Sequence, residues 1–174
     1  MFSLNGHFAM RPIDRKDLEW IRSLRNDQST WLNLGDLLMV SDTQQEDWFN
    51  GLSRDRSRMY FLVYNGALIV CLVRFTQIDW INRSVCVGAD IHPQERGQGY
   101  GKQVYDLIIA YCFDQLNMNR IWLLVAEYNK IGIKLYERKG FRIEGAMRKA
   151  IYRNGRYWDY IIMGLLQKER RCDL

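Results

Sequence analysis

The 174-residue sequence is 48% hydrophobic and 26% charged, a balance typical of a folded globular chain rather than a disordered one. Its 25 basic and 20 acidic residues give a net charge of +5, but the basic ones are scattered, which argues against nucleic acid as a partner. No stretch approaches the roughly 18 uncharged apolar residues that cross a bilayer, and the first residues lack the pattern of a signal peptide. We therefore expect one domain over residues 1–174, with a core from about 8 to 168, in a cytoplasmic protein without a membrane partner.

The cysteines and histidines are few and follow no metal-ligand spacing. The two histidines, His7 and His92, give little support to a zinc site or to a Ser-His-Asp triad. Three of the cysteines lie inside apolar runs, which favours reduced core thiols. The sequence thus predicts no metal ion. The four cysteines are Cys71, Cys86, Cys112 and Cys172.

Two helices are predicted in the N-terminal third. Asp14 can cap a helix that runs to Asp27, with Asp17 in its first turn and apolar residues along one face. A second helix is predicted over Thr43–Leu52. The segment between them, Gln28 to Asp42, shows no clean period, so we expect a loop or a short helix there.

Strands are predicted after Arg58. Two hairpins each contain an Asn-Gly pair, which is a favoured two-residue turn. A continuous apolar run indicates a further strand that is buried on both faces. The predicted strands are Met59–Tyr64, Ala67–Phe75, Ser84–Ile91, Ile121–Ala126, Arg148–Arg153 and Arg156–Leu166.

Two more helices separate the later strands. One follows a glycine-rich turn and has apolar residues at helical spacing. The other ends at about Lys139, before Gly140, because glycine is the usual residue that follows a helix with positive φ. The order α, α, β-hairpin, β, α, β, α, β-hairpin predicts a mixed α/β fold. We expect a central sheet of about six to seven strands with helices on both faces.

The glycine-rich turn, "RGQGYGK", lies between a predicted strand and a predicted helix, where backbone N–H groups bind phosphate oxygens. Its spacing is G-x-G-x-G rather than the dinucleotide pattern G-x-G-x-x-G, and no acidic residue follows about 20 positions later. The ATP-binding pattern also fails, because position 96 is Arg and position 103 is Gln. A third class of glycine-rich phosphate-binding loop therefore remains.

Two motifs together resemble the GNAT (Gcn5-related N-acetyltransferase) superfamily. The segment from Arg96 to Gly101 matches R/Q-x-x-G-x-G/A, the loop that cradles the pyrophosphate of acetyl-coenzyme A. About 30 residues later, Asn129, Tyr136 and Gly140-Phe141 have the spacing of the family motif N-x-x-A-x-x-x-Y-x-x-x-G-F, with Gly132 in place of the alanine. The resemblance runs from Met10 to Leu166 and implies an acetyl-CoA-dependent N-acetyltransferase.

The resemblance also implies roles for individual residues. Tyr136 matches the tyrosine that protonates the departing thiolate; a phenol of pKa about 10 can supply a proton to a thiol of about 8.5. Gly88 within a strand suggests a bulge or a close backbone approach, beside main-chain atoms that would contact the pantetheine arm and thioester. The implied cofactor-binding residues are Ala89, Ile91, Arg96, Gly97, Gln98, Gly99, Tyr100, Gly101, Lys102 and Asn129.

The base that would deprotonate the acceptor amine is left open. Asp90, at the end of its strand, could act directly or through water, or could be only a solvated carboxylate. Glu127 could act as the base or bind the incoming ammonium. Solvent-mediated deprotonation is also adequate, because a lysine-like amine needs a pKa adjustment of only about three units.

The acceptor is predicted from shorter matches. The chain resembles the branch that holds ribosomal-protein N-terminal acetyltransferases, spermidine acetyltransferases and nucleotide-amino-sugar acetyltransferases, and is nearest to the last. We expect a small amine, nucleotide-linked, in a groove walled by Gln28–Asp42 and the last hairpin, with Arg148 and Arg153 near the diphosphate. A polyamine site would need a cluster of carboxylates. The first loop contains only Asp36 and Asp42, which argues against a polyamine acceptor. The predicted acceptor-binding residues are Arg25, Trp31, Trp80, Glu127, Tyr152 and Trp158.

Other functions stay open at this stage. A protein N-terminus or a polyamine are alternative acceptors. A non-catalytic acetyl-CoA-binding module, or a scaffold used for partner contacts, is an alternative of another class that the intact loop and Tyr136 disfavour. A homodimer is a further expectation.

Overall fold

The computed structural model describes residues 1–4, 6–34 and 39–170. Eight strands form one mixed sheet in the order β1-β2-β3-β4-β5-β6-β8-β7. β5 and β6 run parallel, whereas the other neighbouring pairs run antiparallel. The strands are β1 (Phe2–Ser3), β2 (Phe8–Pro12), β3 (Met59–Asn65), β4 (Leu68–Asp79), β5 (Ser84–Ile91), β6 (Arg120–Ala126), β7 (Arg142–Arg153) and β8 (Arg156–Leu166).

Helices cover both faces of this sheet, as the element order predicts. The inward side chains of α4 pack with Val63 and Val73 on one face. Ile21 and Leu24 of α1 pack with Leu62 and Leu72 on the other face, since neighbouring strand residues point to opposite sides. The helices are α1 (Leu18–Asn26), α2 (Gln28–Trp31), α3 (Asp42–Leu52), α4 (Tyr100–Ala110) and α5 (Lys130–Arg138).

The predicted Asp14 cap is confirmed, but it caps a short 3-10 turn that precedes the first α-helix. Asp14 and Asp17 form a capping box around a short 3-10 turn over Arg15–Asp17, and α1 follows directly. Asp17 is only 5% exposed and accepts two hydrogen bonds from Arg11, at 2.7 and 2.8 Å. This ion pair ties the beginning of α1 to β2.

The two predicted hairpins form, but one turn is shifted. Asn154 and Gly155 both have positive φ between β7 and β8, as a type I′ turn requires. In the first hairpin, Asn65 pairs with Leu68, so Gly66-Ala67 forms the turn instead of Asn65-Gly66. Gly66 has φ of +61°, which suits the first position of a type II′ turn.

The prediction missed the two N-terminal strands and the first half of β7. β1 has only two residues, and β2 ends in a proline and lacks alternation, so local pattern gives little indication of either strand. β7 begins at Arg142 rather than Arg148, and nearly all of it is exposed because it lies at the sheet edge. Tertiary pairing, rather than burial, makes this segment a strand.

The structure bears on two of the compositional expectations. Cys71, Cys86 and Cys112 are free thiols, while Cys172 lies outside the described residues. Within the described ranges, no helix is long and apolar enough to cross a membrane.

Candidate active site

The two parallel strands of the sheet separate toward their C-terminal ends. β5 and β6 pair only from Ser84↔Arg120 to Cys86↔Trp122, although β5 continues to Ile91 and β6 to Ala126. The opposite edge of β5 remains paired with β4 as far as Ile91. The edge of β5 that faces this opening therefore presents main-chain N–H and C=O groups that a strand-like ligand can pair with.

The glycine turn lies where β5 ends and α4 begins. Gly97 and Gly99 have φ of +81° and +78°, and a Cβ at either position would meet no atom within 4 Å. Gly99 is the N-cap of α4, whose first N–H groups have no partner within the helix. The turn thus leaves open space above a helix N-terminus, which fits a pyrophosphate.

Other residues of the turn have structural side-chain roles. The three guanidinium nitrogens of Arg96 donate to Ile91 O, Ser29 Oγ and Thr30 Oγ1, at 3.0, 2.6 and 2.7 Å. The ring of Tyr100 packs against Phe8, with ring centroids 5.3 Å apart. Any contact of Arg96 and Tyr100 with the cofactor would therefore come from their main chain, while Gln98 and Lys102 are exposed.

Gly101 has a packing role, and its predicted main-chain contact with the cofactor stays a prediction. A Cβ there would lie 2.9 Å from Leu135 Cδ2 of α5. The missing side chain lets the first turn of α4 approach α5 closely, which brings the two motifs of the sequence together.

The strand before the glycine turn has no bulge at Gly88, so that expectation is wrong. The β4–β5 register is continuous from Cys71↔Ile91 to Thr76↔Cys86. A group does approach Gly88 closely, but it is a side chain rather than the expected backbone, because a Cβ at Gly88 would lie 2.8 Å from Arg74 Nη2. Ala89 and Ile91 lie on the part of β5 that borders the opening.

Tyr136 lies on α5, partly buried, with its ring centroid 4.9 Å from that of Tyr105 on α4. Burial raises the pKa of the Tyr136 phenol above its usual value of 10.0, and a hydrogen bond with Tyr105 opposes this rise. The phenol is therefore protonated at neutral pH. It can act as a proton donor.

Asn129 and Glu127 flank the start of α5. The Oδ1 atom of Asn129 accepts a hydrogen bond from Gly132 N at 2.9 Å, so Asn129 caps the helix, and a Cβ at Gly132 would meet this side chain at 3.0 Å. Glu127 Oε1 accepts from the N–H of Asp159 on β8 at 3.1 Å. Both side chains orient the segment that leads to Tyr136.

A cavity of about 600 Å³ lies on the opposite face, between α1, α3 and strands β3 to β5. Asp90 lines its inner end, level with Leu72 of β4. Arg58 lines a point about 13 Å farther along the strands, since it precedes Met59, which pairs with Phe75. Its walls are Ile21, Leu24, Arg25, Thr30, Leu34, Met39, Val40, Gln44, Gln45, Trp48, Arg58, Tyr60, Leu72, Arg74 and Asp90.

The described lining of this cavity is rich in cations. Arg25, Arg58 and Arg74 contribute positive charge, and Asp90 is the one carboxylate among the described lining residues. Arg74 holds Asp90, and the Nε of Arg58 pairs with Asp55 at 3.1 Å. Gln45 is 5% exposed, and its Nε2 atom has no hydrogen-bond partner among the described residues, so a polar group at the cavity wall is left for a ligand.

The predicted acceptor residues are only partly brought together. Arg25 lines the cavity, whereas Trp31, Trp80, Tyr152 and Trp158 are not among its described lining residues. The indole of Trp80 donates to Arg56 O at 3.0 Å, and Tyr152 is 50% exposed on the last hairpin.

The expected diphosphate role of Arg153 is wrong. Its side chain is 4% exposed and donates to the carbonyl oxygens of Leu32 and Leu34. Tyr128 donates to the same Leu32 oxygen at 2.6 Å. The segment after α2 packs against the last hairpin through this buried contact, and only the first of these two predicted walls is among the described lining residues of the cavity. Asp36 lies outside the described residues.

Sequence reasoning missed Gln45, Arg58, Tyr60 and Arg74 as cavity residues. They come from α3, β3, β4 and the residue before β3, and the fold alone brings them together. One indication was present: Gly88 within a strand predicted a close approach, and the approaching group is Arg74.

Comparisons with known proteins show the family of the chain. A family model for the acetyltransferase (GNAT) domain matches residues 10–162, and the chain therefore belongs to the GNAT acetyltransferase family. The spermidine N(1)-acetyltransferase of Vibrio cholerae is 29% identical over 95% of this chain and 96% of its own. The crystal structure of a V. cholerae spermidine N-acetyltransferase with CoA and spermine superposes with a TM-score of 0.91, at 29% identity, over 95% of this chain and 98% of that one.

A dodecameric structure of the V. cholerae enzyme superposes with a TM-score of 0.83, at 29% identity, over 94% of this chain and 96% of that one. Family membership and the fold make the chain an acetyl-CoA-dependent N-acetyltransferase. No group of metal-ligating side chains occurs within the described ranges.

Proposed function

We propose that the protein transfers the acetyl group of acetyl-CoA directly to the primary amine of a small molecule bound in the 600 Å³ cavity. One arrangement carries this proposal. The opening between β5 and β6, the glycine turn and Tyr136 adjoin one face of β5, and the cavity reaches Asp90 from the other. Donor and acceptor would thus meet at the same strand.

The main chain of Ala89 and Ile91 would hold the pantetheine arm, and the turn from Gly97 to Gly99 would hold the pyrophosphate. When bound, acetyl-CoA supplies the thioester. Main-chain N–H groups of β5 would stabilise the negative charge that develops on the carbonyl oxygen. Tyr136 would give its proton to the departing sulfur.

The first candidate acceptor is a polyamine. The supporting observation is the similarity over nearly the whole chain to spermidine acetyltransferases. The cavity also extends along the strands from Asp90 toward Arg58, which suits a long, flexible acceptor. The nucleotide-linked amino sugar expected from sequence has no support in these comparisons.

A second candidate is an amine that carries a carboxylate or phosphate. The supporting observation is the charge of the described cavity wall, where arginines outnumber carboxylates. Positive charge attracts an anionic group and repels a polycation.

An acceptor screen tests both candidates. The panel contains spermidine, 1,6-diaminohexane, 6-aminohexanoate, ethanolamine phosphate, a nucleotide-linked 4-amino sugar and a peptide N-terminus, with thiol release as the readout. We expect spermidine and the diamine to be acetylated with the highest kcat/KM; a preference for the anionic members would favour the second candidate. Binding of acetyl-CoA without acetylation of any amine would contradict the catalytic proposal.

We also propose that the chain self-associates, because the V. cholerae relative is dodecameric. The homodimer expected from sequence stays a prediction. Light scattering on the purified protein measures the assembly, and a monomer at all concentrations would contradict self-association.

A further inference from the structure

The inner end of the acceptor cavity holds a two-point ion pair. Arg74 Nη2 donates to Asp90 Oδ1 at 3.0 Å, and Arg74 Nε lies 2.9 Å from Asp90 Oδ2. Both side chains line the cavity. Asp90 is the residue that sequence reasoning offered as a base, so its partner bears directly on how the acceptor loses its proton.

The space for this pair is built into the sheet. Arg74 lies between Tyr60 and Gly88 in the registers of β3–β4 and β4–β5. Its guanidinium crosses Gly88 so closely that a Cβ there would stand 2.8 Å from Nη2 and 3.1 Å from Cζ. Any residue larger than glycine at position 88 would require the guanidinium to shift from the place where it contacts Asp90.

The pair also lies near the proposed proton donor. Asp90 raises the pKa of Tyr136 and Arg74 lowers it, both through their charges. The ion pair therefore lies close enough to Tyr136 for its charges to influence the pKa of that phenol. The titratable and charged groups that surround the pair are Arg25, Arg58, Tyr60, Cys71, Cys86, Tyr105 and Tyr136.

A carboxylate has about four lone-pair directions. Arg74 donates one hydrogen bond to Asp90, from Nη2 to Oδ1, whereas its Nε lies 2.9 Å from Oδ2 without forming a hydrogen bond. The remaining lone pairs can accept hydrogen bonds from a bound ammonium or amine. Asp90 is thus placed to hold an amine while Arg74 fixes the orientation of its carboxylate.

We propose that Arg74 is a positioning residue that keeps the Asp90 carboxylate aimed at the acceptor nitrogen, and that the ammonium loses its proton to water rather than to Asp90. This inference rests on the proposed function. The nitrogen gives one proton to solvent before attack and a second after the C–N bond forms. As the C–S bond breaks, the sulfur takes its proton from Tyr136, which solvent then reprotonates.

The test is the pH dependence of kcat/KM with several amines whose ammonium pKa values differ. With the wild-type protein, the acidic limb should follow the pKa of each amine. Asp90→Asn should raise KM about tenfold or more, change kcat less than about threefold and leave the position of the limb unchanged. An acidic limb at one pH for all amines that disappears in Asp90→Asn would overturn the proposal, because Asp90 would then be the base.

Three further variants distinguish a positioning role of Arg74 from a role in folding. Arg74→Met should raise KM as Asp90→Asn does, and Arg74→Lys should recover part of the loss because it restores the charge. Gly88→Ala displaces the guanidinium without removing either charge, and should also raise KM. The matched control is Gly51→Ala on α3, where a Cβ meets no atom within 4 Å. Equal KM values in Gly88→Ala and Gly51→Ala would count against the role of Arg74.

Calorimetry gives a readout that does not require turnover. Amine binding to the protein with CoA should weaken about tenfold in Asp90→Asn. If amines bind in this way but none is acetylated, the proposed function fails and the positioning role of Asp90 stands. If amine binding is the same in wild type and Asp90→Asn, or absent from both, the inference is overturned.

Discussion

The donor and acceptor sides of the site are built from different parts of the chain. The donor side uses mainly backbone: the free edge of β5, two glycines with positive φ and the N-terminus of α4. The acceptor side uses side chains from three helices, three strands and the segments beside them, which are far apart in sequence.

Because of this difference, the two sides can recognise different kinds of ligand. Main-chain groups in a fixed turn bind a constant ligand, so one short motif can serve many acetyltransferases. Side chains such as Arg58 and Gln45 can be exchanged without altering the sheet. Acceptor specificity is therefore expected to vary on the acceptor side alone, and the following predictions test that division.

The largest expected effect is on the donor side. Gly99→Glu should weaken CoA binding about 1,000-fold or more, because a side chain at φ of +78° is strained and its carboxylate fills the pyrophosphate cradle. Calorimetry with CoA measures the loss. Gly155→Glu is the matched control, since its φ of +80° and open surroundings lie on the last hairpin. Wild-type affinity in Gly99→Glu would contradict the cradle.

The second-largest effect is expected at Tyr136, where the donor and acceptor sides meet. Tyr136→Phe should lower kcat by about 100-fold or more, because the sulfur loses its proton donor. CoA affinity should stay within about twofold. Since burial raises the pKa of Tyr136, the wild-type acid role should persist to pH values above 10. Tyr157→Phe, which removes a hydroxyl from an exposed tyrosine, is the control. An unchanged kcat would exclude Tyr136 as the acid.

A smaller effect concerns the support of α1, which forms one wall of the cavity. Burial alone would raise the pKa of Asp17, but hydrogen bonds from Arg11 and the Asp14 N–H lower it overall. Asp17→Asn should therefore reduce the free energy of unfolding by about 2 kcal/mol at pH 6. Urea unfolding measures this, with the exposed Asp47→Asn as control.

The pH dependence of that difference follows from the direction of the pKa change. A carboxyl whose pKa is lowered in the folded state stabilises above its unfolded pKa of about 3.9 and loses this contribution as pH falls through the folded value. The gap between wild type and Asp17→Asn should thus shrink below about pH 4. A constant gap would mean that the charge of Asp17 contributes nothing.

The smallest effect is on acceptor preference. Arg58→Gln should shift the ratio of kcat/KM for spermidine to that for 6-aminohexanoate by about fivefold toward spermidine, because one cation of the cavity wall is lost. Arg54→Gln removes an exposed arginine nearby that is not among the described lining residues. Identical ratios in both variants would show that the charge of the wall does not select the acceptor.

Some elements could be predicted from the local sequence pattern, and others could not. The Asp14–Asp17 box, the Asn154-Gly155 turn and the end of α5 at Gly140 were readable, because each depends on neighbours within a few residues. β2 and the first half of β7 were not, since their hydrogen bonds come from distant strands. Arg153 looked like a ligand for phosphate, yet burial assigns it to the carbonyl oxygens of Leu32 and Leu34.

The sequence by itself determined the donor side, because a glycine turn at a helix start, followed at fixed spacing by Asn129 and Tyr136, resembles the acetyl-CoA motifs of the GNAT family, and each motif lies within a short stretch of chain. Only the tertiary structure decided the acceptor side. The contact of Arg74 with Asp90 depends on the β4–β5 register and on the space above Gly88. Side chains that meet across strands and helices leave little pattern in the local sequence, so their shared chemistry becomes visible only when the sheet is assembled.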